Sequence, residues 1–272
     1  RRWTAALALA ALAGCAAPPA PAPAAEPPAL SGAFGQSRSQ LEPRLAKATL
    51  TLAEGAAPVE VTALQLLVPG FTPAAPTAKD SRFTPGRTIA LPAPYGEPDC
   101  AADPAGAPVE AVLTVRGAPE PVRLALDDPS DRAGGLHERE CAAARVAELA
   151  PLAWQEGWAT AGAGPDLVSV GRLDVGPVTG DAPVTVEALG TTTLFGYEAA
   201  LPVTVAPGER ATLEVRLVPA RCDPHAVAED KQGFAPPVDL RVGDEALSAR
   251  AWVPLEQRRV ALDALTARCA AR

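Results

Sequence analysis

The segment RCDPHAVAEDKQGF, residues 221–234, places Cys222, His225, Glu229 and Asp230 close together along the chain. Thiolate, imidazole and carboxylate are the donor types that hold zinc, so the first chemistry to weigh is metal binding, with His225, Glu229 and Asp230 as candidate ligands. Two other readings compete with it. Asp223 before Pro224 has the form of a helix cap with proline in the first turn, which would make this a structural loop with Glu229, Asp230 and Lys231 as a solvated face. A loop that contacts a partner is the third reading. Elsewhere the means for catalysis are scarce. His137 and His225 are the only histidines, so a histidine-rich zinc cluster cannot form within one chain and a blue-copper site is excluded. The sequence contains no G-x-S-x-G, S-x-x-K or H-E-x-x-H motif and no phosphate-cradling glycine loop. His137, in LHERE beside Cys141, is expected on an exposed helical face rather than as a general base. Glu138 and Glu140, two apart, do not share a helical face and are expected to be solvated. In LDDPSDRAGG, residues 126–135, Asp127 and Asp128 could hold calcium weakly, but Asp-Asp-Pro is also the form of a capped turn. No catalytic residue, no metal site and no cofactor is assigned.

The composition narrows the partners. The 272 residues carry a formal net charge of −8, which argues against nucleic acid, whose binding is built from clustered Lys and Arg. Met and Asn are absent, Ile89 is the sole isoleucine and Lys47, Lys79 and Lys231 are the only lysines. All these residues have A/T-rich codons, so the bias points to a GC-rich genome. Without a Met, the chain is expected to start downstream of its initiator.

RRWTAALALAALAGC, residues 1–15, has a basic pair (Arg1, Arg2) and an apolar run too short to span a bilayer permanently, followed by small residues and a cysteine. LAGC, ending at Cys15, resembles the lipobox of bacterial lipoprotein signal peptides. The resemblance implies diacylglyceryl transfer to the Cys15 thiol, cleavage before it, and anchoring by acyl chains at the outer face of the cytoplasmic membrane. An ordinary signal peptide with a coincidental cysteine is the alternative, and Arg1-Arg2 also fits the remnant of a twin-arginine signal. AAPPAPAPAAEPPAL, residues 16–30, favours extended polyproline II and has little with which to build a core. It predicts a tether over 15–43, continued by SGAFGQSRSQ, with ordered structure beginning near Leu45. The expected partners are the membrane, through Cys15, and an envelope protein.

The elements that must position all of this come from an internal repeat. FTPGRTIALPAPYGEPDC (83–100) aligns without a gap on VAPGERATLEVRLVPARC (205–222), APVEVTALQLL from Ala57 on APVTVEALGTT from Ala182, and ATLTL (48–52) on GRLDV (171–175). Short alternating runs such as VEVTAL, VTVEAL and ATLEVRLV, separated by Gly and Pro turns, predict antiparallel strands with one buried face. The expected fold is mainly β: two tandem Ig-like or fibronectin-like sandwiches, each followed by a short helix. The boundaries are 1–14 for the signal, 15–43 for the tether, and 44–150 and 151–272 for the domains. IALPAPYGEP belongs at a sheet edge, because proline cannot donate to a ladder. In the last helix Leu262, Leu265 and Cys269 fall on one face, and Trp154 and Trp158 are expected to pack between the domains.

With Cys15 set aside, four cysteines remain, one pair per repeat. Only Cys100–Cys141 with Cys222–Cys269 gives both halves the same internal bond, and export makes oxidation plausible. A bonded Cys222 has no thiolate for a metal, which weakens the metal reading. Between the cysteine and the next Pro-Val the first copy has seven residues (101–107) and the second fourteen (223–236). The opening segment is therefore a loop elaboration of the second domain, where binding functions tend to reside. CDPHAVAEDKQG also resembles a motif of uncharacterised tandem Ig-like lipoproteins and secreted proteins of GC-rich Gram-positive bacteria; the resemblance is best over the second sandwich and implies no activity. The expected function is a non-enzymatic, lipid-anchored module that contacts another envelope component, with a metal- or small-ligand-binding lipoprotein as the alternative.

Overall fold

A computed structural model describes residues 28–271. The signal-like segment, Cys15 and most of the Pro/Ala-rich run lie outside the described residues. The first sandwich contains β1 (Leu30–Gly35), β2 (Leu45–Leu52), β3 (Val59–Leu67), β4 (Thr77–Phe83), β5 (Thr88–Pro94), β6 (Val109–Val115) and β7 (Val122–Leu126), followed by helix α1 (Arg132–Leu149). The second contains β8 (Leu152–Trp154), β9 (Ala159–Ala161), β10 (Val168–Val175), β11 (Val184–Leu189), β12 (Phe195–Glu198), β13 (Val203–Val205) and β14 (Ala211–Pro219). Helix α2 (Pro224–Glu229), β15 (Pro237–Val242), β16 (Glu245–Arg250) and α3 (Leu255–Ala270) complete it.

The alternation seen in the sequence becomes burial. Along β2, Ala46, Ala48, Leu50 and Leu52 are fully buried, and along β14 Leu213, Val215 and Leu217 point inward. Each fully buried Val or Leu contributes about 1.5–3 kcal/mol relative to exposure. The sheets run β1-β2-β5 and β4-β3-β6-β7 in the first domain, and β8-β10-β14-β12 and β13-β11-β15-β16 in the second, with β9 also on β10. The shared order puts β10, β11, β14, β15 and β16 in the places of β2, β3, β5, β6 and β7. Even an irregularity repeats: β3 bulges between Val61 and Ala63, and β11 between Val186 and Ala188. A bulge re-aims the residues beyond it, so its recurrence extends the repeat from sequence to backbone.

The first domain starts earlier than the sequence suggests. Residues 30–35 are not tether but strand β1, paired with β2 from Leu30↔Leu52 to Gly35↔Lys47, with Leu30 and Phe34 buried. LSGAFG hides this because small residues interrupt its alternation. Gly32 lies so close to Leu50 and Leu126 that a β-carbon there would sit 2.6 and 2.8 Å from their methyls, which is one use of glycine in a strand.

Helix α1 opens on the capped turn: Asp128 accepts from the backbone N–H of Arg132 (3.0 Å) and Ala133 (2.8 Å), and Asp131 accepts from Gly134. The helix serves both domains, with Ala133 and Leu136 in the first core and Val146 in the second. In α3 the buried stripe is Gln257, Ala261, Ala264 and Leu265. Leu262 turns away from it, so the expected Leu262–Leu265–Cys269 face is shifted. Trp154 and Trp158 pack edge to face, with ring centroids 5.1 Å apart, in the core of the second domain and not between domains. Their segment forms β8 and the approach to β9, which pair with β10.

Disulfides join Cys100 to Cys141 and Cys222 to Cys269, with Cα separations of 5.6 and 5.4 Å. Such bonds belong to an oxidising, extracytoplasmic compartment. Among the described residues, no helix is long and apolar enough to cross a membrane.

Candidate functional site

The Cys222–Cys269 bond pins the start of the elaborated loop to α3. Asp223 then caps α2, accepting from the N–H of His225 at 3.0 Å, with Pro224 in the first turn. Ala226 is buried under the loop. Asp230 closes the loop's far side by accepting from the N–H of Gly233 at 2.6 Å, and the Gly233 carbonyl accepts from the hydroxyls of Tyr197 (2.7 Å) and Thr192 (3.1 Å). Burial above all, and then the charge of Asp230, push the Tyr197 phenol well above its ordinary range, with Arg258 pulling the other way. It stays protonated and holds the loop. Phe234 packs on Phe195 with centroids 5.3 Å apart.

Between this loop and α3 lies an open hollow of about 650 Å³. Its apolar wall is Val227, Phe234, Trp252, Leu255 and Leu262. Leu255, 77% exposed, is the one large apolar side chain left exposed among the described residues. Asp230, Lys231, Arg259 and Asp263 give the hollow a rim of mixed charge. Arg258 organises one side: its guanidinium lies 5.6 Å over the Phe234 ring, donates to the Val253 carbonyl, and makes a two-pronged ion pair with Glu42 of the first domain. A partly covered, bidentate arginine of this kind fixes geometry better than an exposed ion pair does.

On the other side of the loop a smaller hollow of about 230 Å³ is lined by all three candidate ligands, His225, Glu229 and Asp230. Arg38, Arg221 and Lys231 line it too. Three basic side chains thus share the hollow with the candidate carboxylates Glu229 and Asp230, and Asp230 is already engaged by the Gly233 N–H. Among the described residues no three His, Cys, Asp or Glu side chains converge as a metal ion would require. The arrangement suits a small polar ligand better than a cation.

Two expectations for the first domain change. His137 is not on an exposed face: it is 7% exposed, its Nε2 lies 3.0 Å from the Asp99 carbonyl, and its ring stands edge-on to Phe71. Gly70, with φ +77°, packs directly beneath it. The helix turns His137 toward the Cys100–Cys141 bond, so its charged sequence neighbours are not its spatial ones. Glu138 is exposed, but Glu140 is not merely solvated. It accepts from the Tyr95 hydroxyl at 2.8 Å and from Arg44 Nε at 3.0 Å. Burial, then the charge of Glu140, push the Tyr95 phenol up to about 12. The wall residues Trp252, Leu255 and Arg258 were missed in the sequence. Their only local signal is WVPLEQRR, an apolar pair straddling a proline before a charged helix.

No protein-family model matches this chain, and no curated protein matches it in sequence. Among solved structures, a protein of unknown function from Porphyromonas gingivalis W83 is similar over 77% of this chain and 90% of that one, at 11% identity and a TM-score of 0.20. A likeness of that strength carries no argument.

Proposed function

We propose that this is a non-enzymatic binding module, anchored by lipid on Cys15 outside the cytoplasmic membrane, that docks an apolar segment of another envelope component in the hollow between the 221–234 loop and α3. The observation that carries the reading is the exposed Leu255 beside Trp252, at the mouth of a concave, apolar-walled site with a mixed-charge rim. Recognition surfaces commonly join an aromatic or aliphatic anchor to a polar border. The two disulfides support the compartment, and the resemblance of LAGC to a lipobox supports the anchor.

The test is site-specific photocrosslinking in intact cells with the reactive group at Leu255, and at exposed Thr88 of the first domain as control. The expected result is one discrete adduct at Leu255, lost with Trp252→Ala and absent at Thr88. Equal labelling at both positions, or none at Leu255, would overturn the docking reading. Metabolic labelling with a palmitate analogue, lost in Cys15→Ala, tests the anchor separately.

A further inference from the structure

Six arginines are placed beside glutamate. Arg44, Arg116, Arg123, Arg145, Arg241 and Arg258 each pair with at least one. Of the arginines without such a partner among the described residues, four stand together. Arg38, Arg132, Arg139 and Arg250 line one open cleft of about 340 Å³ at the junction of the domains, with Gln36 and Ser37 on its wall and no carboxylate among its lining residues. All four are exposed, and among the described residues none has a carboxylate oxygen within ion-pair distance. Arg132 and Arg139 stand on α1, Arg38 comes from the turn after β1, and Arg250 ends β16 of the second domain.

Two of the guanidinium groups are held in place. Arg250 donates to the Ala235 carbonyl at 2.8 Å, and Arg139 reaches Gln36 Oε1 at 3.4 Å. Partial burial, then the charge of Arg139, hold the Arg250 guanidinium below its ordinary value, as expected of like charges brought close. Gathering four like charges is unfavourable unless something offsets it, and the chain's net charge of −8 shows that carboxylates were not in short supply. A second hollow of about 250 Å³ shares Arg38 and Arg250 and adds Thr191, Thr192 and Thr193. The cleft therefore continues past the guanidinium groups to the exposed hydroxyls of Thr191 and Thr193.

We infer that this interdomain cleft binds a phosphate-bearing ligand with at least two anionic oxygens to share among Arg38, Arg132, Arg139 and Arg250. Arginine's planar fork matches the edge of a phosphate, and each charge-assisted pair is stronger than a neutral hydrogen bond. The hydroxyls of Thr191 and Thr193 supply further donors where the ligand extends beyond its first phosphate. Because the cleft draws residues from both domains, the bound anion also ties them together. The site is separate from the apolar hollow beside α3 and does not depend on the docking proposed there.

The test uses the oxidised full chain. Pyrophosphate is titrated calorimetrically at low ionic strength, and binding to vesicles of phosphatidylglycerol is measured against phosphatidylcholine. Arg139→Gln/Arg250→Gln and Arg132→Gln/Arg139→Gln are compared with Arg216→Gln, an exposed arginine on β14 away from the cleft. Loss of two charge-assisted pairs is expected to weaken binding by about tenfold or more in either double variant, while Arg216→Gln binds as the parent does. Pyrophosphate binding that follows this pattern assigns the cleft to a soluble phosphate. Binding to phosphatidylglycerol vesicles alone, with the same pattern, assigns it to a lipid headgroup. The inference fails if neither probe binds, or if both double variants, shown to be folded by circular dichroism, bind as tightly as the parent.

Discussion

In the first sandwich β5 is an edge strand, whereas in the second its counterpart β14 is flanked by β10 on one side and β12 on the other. In the first domain the pairing on that side shrinks to a single bridge beyond β5, Phe71↔Pro98, and two prolines mark the strand itself. β5 reads TIALPAP, and its Pro92 and Pro94 face Lys47 and Leu45 of β2. A proline has no N–H to offer a further strand. The Pro92 carbonyl is taken by Lys79 Nζ at 2.5 Å, so the far edge is closed by a side chain. β14 reads ATLEVRLVP, with its one proline at the end, and it accepts β12 from Phe195↔Pro219 to Glu198↔Arg216. An edge that must not pair and an edge that does have thus arisen on one ladder, which is how sheets manage exposed strands. The same contrast governs the cysteine loops. In the first domain seven residues suffice between Cys100 and Pro108, while in the second fourteen leave room for α2 and the hollow beside it. The second domain has more built onto its frame, and the apolar groove is there.

If the halves differ in elaboration but share a frame, removing the shared staple should cost both alike. Cys100→Ser/Cys141→Ser and Cys222→Ser/Cys269→Ser each release a loop, of sequence separation 41 and 47. Each is expected to destabilise its domain by about 4 kcal/mol on the chain-entropy account, as measured by urea denaturation. A much larger penalty for the second pair would break the symmetry and show that the elaborated loop depends on its bond.

A smaller effect separates Ala48 from Gly171, which occupy matching places in β2 and β10. Both are buried, but only Gly171 lies under an indole: a β-carbon there would sit 2.4 Å from the Trp158 ring. Gly171→Ala is therefore expected to cost about 1–3 kcal/mol by overpacking. Ala48→Gly should cost less, about 0.5–1 kcal/mol in backbone entropy. Thermal melts of the two variants test the ranking, and equal losses would mean the tryptophan moves aside without penalty.

The gentlest comparison uses the only two tyrosines, one in each domain. Tyr95 is pushed up to about 12 and Tyr197 higher still. A raised folded value means that the protonated phenol favours the fold. That contribution is complete below the ordinary tyrosine value near 10 and is lost as pH rises through about 12 for Tyr95. Absorbance at the tyrosinate band should show no ionisation near the ordinary value, with Tyr95→Phe removing the earlier of two late steps. Ionisation of either residue at its ordinary value would mean that its domain opens first.

Legibility in the sequence followed the range of the interaction. Period-two burial, the Pro-Gly turns and the proline edge are set by near neighbours, and each was readable in runs such as ATLEVRLV and IALPAP. The cysteine pairing was readable because the chain repeats, so that one half served as a guide to the other. β1 was not, because in LSGAFG the fit of Gly32 under Leu50 and Leu126 replaces the usual alternation. His137 and Glu140 were misread because their partners, Asp99, Phe71, Tyr95 and Arg44, lie on other elements.

What the sequence determined by itself is therefore the duplicated β frame, its staples and the place where the second copy is enlarged, since these rest on local periodicity and self-similarity. The tertiary structure alone decided which faces meet. It set Leu255 and Trp252 at a hollow, and it gathered Arg38, Arg132, Arg139 and Arg250 from distant elements into one cleft. Convergence of that kind depends on how the two sandwiches pack about α1, and no local pattern along the chain encodes it.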